Sequence, residues 1–200
     1  MARALRPVVH LDVKKDIHTL VKNSTKGSVP MRMTNFAGKT VGLMVASGFD
    51  EATFIAIQKA MLAANAKLKI ISRDAGLTNA WNGTGWGMSY PVDSTLSTTL
   101  AVDYDALIIP QGDRHIEKLS TEVHAKRILR AFLREKMPVL ILADAIKILD
   151  IVDTCYPEFV DGANVSRAEN LAVTCSDDVV AGLDLLNEIM LEDQDESCAA

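Results

Sequence analysis

The chain has 200 residues, a net charge of −5, 48% hydrophobic and 24% charged residues, the balance of one ordinary globular domain and not of a disordered chain. No apolar run approaches the roughly 20 residues needed to cross a bilayer. The basic start, Met1 to Pro7, has no apolar stretch behind it, so no signal peptide is read.

Three well-separated cysteines, Cys155, Cys175 and Cys198, form no metal spacing and favour reduced thiols in a cytoplasm. Charge is distributed unevenly. Residues 1–39 hold eight bases against two acids, a net of +6, and the remainder is −11. A basic arm of this kind suits an anionic surface, or the acidic body of its own or a partner subunit. No aromatic interleaves those bases before Phe36, which disfavours nucleic acid. Within the arm, residues 1–38, the positions Val9, Val13, Ile17, Leu20 and Val21 recur at helical spacing and predict a short amphipathic helix. His10 and His18 have no third ligand and are discounted as a metal site.

The folded domain is predicted over residues 39–191. Residues 40–46 read as a buried strand, and Asp50 is a good N-cap for a helix over 51–65 with Phe54, Ile57, Met61 and Leu62 as its core stripe. Residues 67–71 form the next strand, and this βαβ order predicts a parallel sheet. Helical periodicity is then lost to residue 99, where Asn82-Gly83 predicts a hairpin and Trp81 and Trp86 are expected to pack it or a subunit contact. The glycines at 83, 85 and 87 do not match a dinucleotide fingerprint, so no cofactor is expected.

Residues 104–110 are the next buried strand, ending in Gln111-Gly112-Asp113-Arg114-His115. Such strand ends line the ligand crevice of a doubly wound sheet, which makes these polar residues candidates. A helix is predicted over 121–136. Pro138 then opens the apolar run Val139 to Leu142, and Ala143-Asp144-Ala145 turns it into an apolar helical pattern. A strand turning sharply into a helix is the geometry of a nucleophile elbow. The residue at its apex is Ala143, which has nothing to attack with. A late strand is expected at 171–174, a helix over 177–191 with Val180, Leu183, Leu186 and Met190 as its buried stripe, and a loose acidic tail over 192–200.

In that order the segments V41-G-L-M-V-A-S-G-F-D-E51, Y104-D-A-L-I-I-P-Q-G112, the elbow from Pro138 to Leu149, and L171-A-V-T174 resemble the ThiJ/PfpI superfamily within the class I glutamine amidotransferase-like fold. The resemblance spans residues 39 to 190. It implies a flavodoxin-like three-layer α/β sandwich, mostly parallel, with helices on both faces. Active members, as the resemblance implies, hold a cysteine at the elbow beside a glutamate from the first βα segment, and those positions fall on Ala143 and Thr53. The amidotransferase-like C-terminal domain of large-subunit catalases is similar to this chain in lacking the elbow cysteine.

These readings lead to a catalytically inactive binding, oligomerisation or regulatory module, with Thr53, Gln111, Gly112, Asp113, His115, Ala143 and Asp144 as a vestigial site or ligand crevice. The alternative is a hydrolase-like, amidotransferase-like or stress-related enzyme whose rearranged site uses Asp144 and His115. Cys155 is the candidate for redox sensing. The resemblance also implies self-association, and the apolar arm helix, whose Val9, Val13 and Ile17 need a cover, is expected to pack across a neighbour.

Overall fold

The computed structural model describes residues 36–154, 157, 159, 163–175 and 178–198, with side chains as far as Glu192. The chain divides into two units, residues 1–31 and 32–200. The predicted arm helix and Cys155 lie outside the described residues.

Runs rich in Val, Ile and Leu become strands because β-branched side chains suit a sheet covered on both faces. In chain order the elements are β1 (Thr40–Val45), β2 (Phe49–Asp50), α1 (Glu51–Ala63), β3 (Lys67–Ser72), β4 (Leu77–Trp81), β5 (Trp86–Pro91) and β6 (Ser94–Thr95). There follow β7 (Ala106–Ile109), α2 (Asp113–Ser120), α3 (Val123–Arg134), β8 (Val139–Ile141), a 3-10 helix (Ala143–Val152), β9 (Val165–Ala168), β10 (Leu171–Thr174) and α4 (Val179–Cys198). The main sheet has the order β6-β3-β1-β7-β8-β10-β9 and is parallel except for β9, which runs antiparallel to β10 at one edge. β2, β4 and β5 form a separate small sheet.

Strand alternation sends Met44, Leu107, Ile109, Val139, Ile141, Leu171 and Val173 to one face, where they pack under α2, α3 and the 3-10 helix. The opposite face is covered by α1 and α4. There α4 approaches so closely that a Cβ on Gly182 would stand 2.9–3.1 Å from Thr174, Leu140 and Leu142. The result is an α/β fold with a mostly parallel central sheet between two helical layers.

Several expectations need correction. Leu62 and Val180, placed in core stripes, are 81% and 60% exposed, while Val179 is buried. The other stripe positions, Phe54, Ile57 and Met61 in α1 and Leu183, Leu186 and Met190 in α4, are buried as expected. The crevice segment after β7 is itself a helix, α2, and the segment after the elbow winds as 3-10 and not as an α-helix. The helix α4 continues to Cys198 and takes in most of the stretch expected to be a loose tail. Cys175 is exposed.

Candidate functional site

The site lies where β7 and β8 end. Leu142 donates its backbone N–H to the carbonyl of Ile109 at 3.1 Å, and the next residue, Ala143, adopts a left-handed conformation with φ +48°. A residue bearing a Cβ loses about 1–2 kcal/mol there, so the surrounding structure must enforce it. The Ala143 N–H donates to Thr174 Oγ1 at 3.0 Å, and the Ala145 N–H closes the turn on the Leu142 carbonyl at 3.0 Å. Thr174 is fully buried at the end of β10. The sharp elbow is therefore present, held from the neighbouring strand, and a half-buried methyl group occupies its apex.

The turn after β7 supplies the facing wall. Gly112 has φ +136°, and a Cβ there would stand 3.0 Å from each of Asp50 N, Gly48 O and His115 Cδ2. Only glycine permits this approach of the two strand-to-helix turns, which are tied by a bond from the Asp50 N–H to the Gln111 carbonyl at 3.0 Å. The Gly112 N–H, at the start of α2, donates to Asp144 Oδ1 at 3.0 Å. Exposed amides of this kind serve as oxyanion donors in acyl-transfer enzymes. In this chain the amide is filled by the chain's own carboxylate.

Asp144 sits in a short relay of charge. Burial raises its pKa first, the Gly112 hydrogen bond opposes that shift, and the adjacent Asp113 adds to it. Asp113 moves the other way, chiefly because Lys147 Nζ donates to its Oδ1 at 2.8 Å. The Lys147 ammonium is held charged by the same contact. Asp144 is thus the carboxyl of the pair that more readily holds a proton.

The remaining candidates are placed differently. Thr53 is buried in the first turn of α1, with its N–H donating to Asp50 Oδ1 at 2.8 Å as a helix cap. Gln111 Nε2 reaches the same oxygen only at 3.5 Å. His115 is fully buried, with Nε2 2.6 Å from the Pro110 carbonyl. Burial, opposed by bonds to the Pro110 and Gln111 backbone, pushes its pKa down to about 4, so the neutral ring donates from Nε2 and its buried Nδ1 has no partner. The structure gathers Gly112, Asp113, Ala143 and Asp144, and withdraws His115 into the core.

Two contributors, Thr174 and Lys147, were not singled out from the sequence, and Arg114 was named there only as a crevice residue. In fact the Arg114 guanidinium lies 3.8 Å from the Trp81 ring centroid, and Lys118, one turn on, lies over Trp86 at 5.5 Å. The two tryptophans meet edge to face at 5.5 Å, so they pack the hairpin as expected and its outer wall is stacked on α2. A basic i, i+4 pair beside two tryptophans is the signal that was available. Among the described residues no group of three His, Cys, Asp or Glu is arranged to hold a metal ion, and no helix is long and apolar enough to cross a membrane.

Comparison with solved structures finds the same architecture in several proteins. A ThiJ/PfpI domain protein from Brachyspira murdochii is similar over 78% of this chain and 98% of its own, with a TM-score of 0.66 at 15% identity. A cysteine-to-alanine mutant of a DJ-1 superfamily protein from Salmonella typhimurium matches over 80% of this chain and 98% of its own, with a TM-score of 0.62 at 17% identity. Schizosaccharomyces pombe DJ-1 matches over 77% of this chain and 90% of its own, with a TM-score of 0.62 at 17% identity. No curated protein matches the sequence. The family model described as DJ-1/PfpI covers residues 39–153, more than half of the sequence and the whole elbow, and the chain belongs to the DJ-1/PfpI family.

Proposed function

We propose that this protein is a non-catalytic member of its family that works by binding and self-association. One observation carries the reading: the strained elbow is kept at Ala143 with no nucleophile on it, and the Gly112 amide beside it is occupied by Asp144. A covalent mechanism needs a nucleophile with a base in reach and a free donor for the developing charge. The position where the family resemblance calls for a glutamate is Thr53, committed to the Asp50 cap. The C-terminal domain of large-subunit catalases, which likewise lacks the elbow cysteine, is the resemblance that fits this role. The basic arm packed across a neighbouring copy is the assembly that the charge distribution favours.

The test is a turnover panel on the purified chain, with ester, peptide, glutamine and glyoxal substrates, beside light scattering at micromolar concentration. The expected result is no turnover and a mass above that of a monomer. Robust turnover, or a monomer at all concentrations, contradicts the reading.

The alternative, an enzyme with a rearranged site, draws on the raised pKa of Asp144 beside Asp113, a carboxyl pair suited to general acid and base work. It receives no help from His115, whose Nε2 is held by the Pro110 carbonyl within the core.

A further inference from the structure

The helices α3 and α4 cover opposite faces of the sheet and carry opposite charges without admixture. Between Val123 and Arg134 stand Lys126, Arg127, Arg130 and Arg134 and no acid. From Val179 to Cys198 stand Asp184, Glu188, Glu192, Asp193, Asp195 and Glu196 and no Lys or Arg. Most helices mix the two signs, because pairs of opposite charge one turn apart stabilise a helix by about 0.2–0.5 kcal/mol and like pairs cost a similar amount. Neither helix uses that device.

The cations of α3 line a surface groove of about 590 Å³ together with Val123 and Ala131. Arg127 is turned aside, donating to the carbonyls of Leu96 at 3.0 Å and Thr99 at 2.8 Å. Lys126, Arg130 and Arg134 remain as a file at four-residue steps. Among the described residues Arg130 pairs with the exposed Asp153 at 3.3 Å, and Arg134 with its neighbour Glu135 at 2.8 Å. Exposed pairs of this sort contribute about 0–1 kcal/mol, so a better-placed anion displaces them.

On α4 the matching file is Asp184, Glu188 and Glu192, also at four-residue steps. Both files span roughly 12 Å of helix. Glu192 is held by Arg167, while no described cation pairs with Asp184 or Glu188. Partial burial and the charges of Glu188 and Asp178 raise the pKa of Asp184, as expected of an acid lacking a compensating cation. The exposed Val123 and Val180 stand at the start of the two files.

We propose that the basic file of α3 docks on the acidic file of α4 in a second copy of this chain. The two helices are on opposite faces, so no copy can satisfy itself and the contact is head to tail. Successive copies then close into a ring or extend as an open chain. The inference rests on the self-association proposed above and adds to the arm a second contact, between α3 and α4. A nucleic acid is the other polyanion that could sit on α3, but no aromatic side chain lines the groove to stack its bases.

Sedimentation of the full chain in about 0.03 M and about 1 M salt reads the contact, because screening shortens the reach of charge several-fold between them. The expected result is an average mass at least twofold higher in low salt. Lys126→Glu/Arg130→Glu/Arg134→Glu and Asp184→Lys/Glu188→Lys should each lose that association, and mixing the two charge-reversed proteins should restore it. The milder Asp184→Asn/Glu188→Gln pair, with circular dichroism of each variant, guards against simple misfolding and should weaken association in the same direction. Assembly indifferent to salt and to every charge variant overturns this inference and leaves the assembly reading standing. A monomer under all conditions overturns both. Unchanged assembly together with DNA binding that only the α3 variant loses overturns the choice of partner.

Discussion

Ala143 and Thr174, 31 positions apart in sequence, are joined by a 3.0 Å hydrogen bond from the Ala143 backbone amide to the threonine hydroxyl. This bond crosses from the end of β8 to the end of β10 and holds the one strained residue of the elbow. Replacing Thr174 with Val keeps the shape and removes the acceptor, so stability should fall by about 1–3 kcal/mol. Urea denaturation reads it. An unchanged midpoint would show that the elbow is held by its packing alone.

The same strain makes opposite predictions for two substitutions at the apex. Ala143→Gly removes the steric penalty at φ +48° and adds chain entropy to the unfolded state, leaving stability within about 1 kcal/mol of wild type. Ala143→Val puts a β-branched side chain in the left-handed region and should lower stability by about 2 kcal/mol. Thermal melts of the pair compare them directly.

His115 predicts an acid-sensitive fold. Its pKa is about 4 in the folded chain against an ordinary 6.5, chiefly because burial penalises the charged ring, and the nearby Lys118 adds to that. Between pH 6.5 and 4 the unfolded chain binds a proton that the folded chain refuses, so stability falls as pH drops through that window. The full drop is about 3 kcal/mol. Below pH 4 this group adds no further slope. His115→Gln should flatten this part of a stability-against-pH curve measured by urea titration, whatever it does to the absolute value.

The small sheet depends on Glu51. Its Oε1 accepts from the Met88 N–H at 2.9 Å and lies 3.4 Å from the Tyr90 hydroxyl. That contact helps burial raise the Tyr90 pKa. Glu51→Ala should free β5 from α1. The Met88 amide should then exchange its hydrogen faster, by at least tenfold, with global stability lowered by about 1–2 kcal/mol. Exchange at the wild-type rate would mean that the Phe49, Phe54 and Tyr90 rings hold the hairpin without it.

Much of this architecture was legible because its strands are nearly uniform apolar runs and Asp50 marks the first helix. The helix α2 was not. Its N-cap is Gly112, which offers no side-chain signal, and its buried face counts His115 beside Ile116 and Leu119. A histidine on a core stripe reads as a polar break. The edge strand β9 was missed because Val165-Ser166-Arg167-Ala168 is half exposed and shows no apolar alternation. At the site, Ala143 and Asp144 could be named from the sequence. That Asp144 fills the Gly112 amide could not, since the bond joins turns 32 residues apart and depends on how tightly they meet.

The central claim is that the elbow carries no chemistry. Its most direct test is the initial rate of wild type against Asp144→Asn on an activated ester, with folding of both checked by circular dichroism. Both proteins should match the buffer rate at every enzyme concentration. A wild-type rate that scales with enzyme and vanishes in the folded Asp144→Asn protein would contradict it.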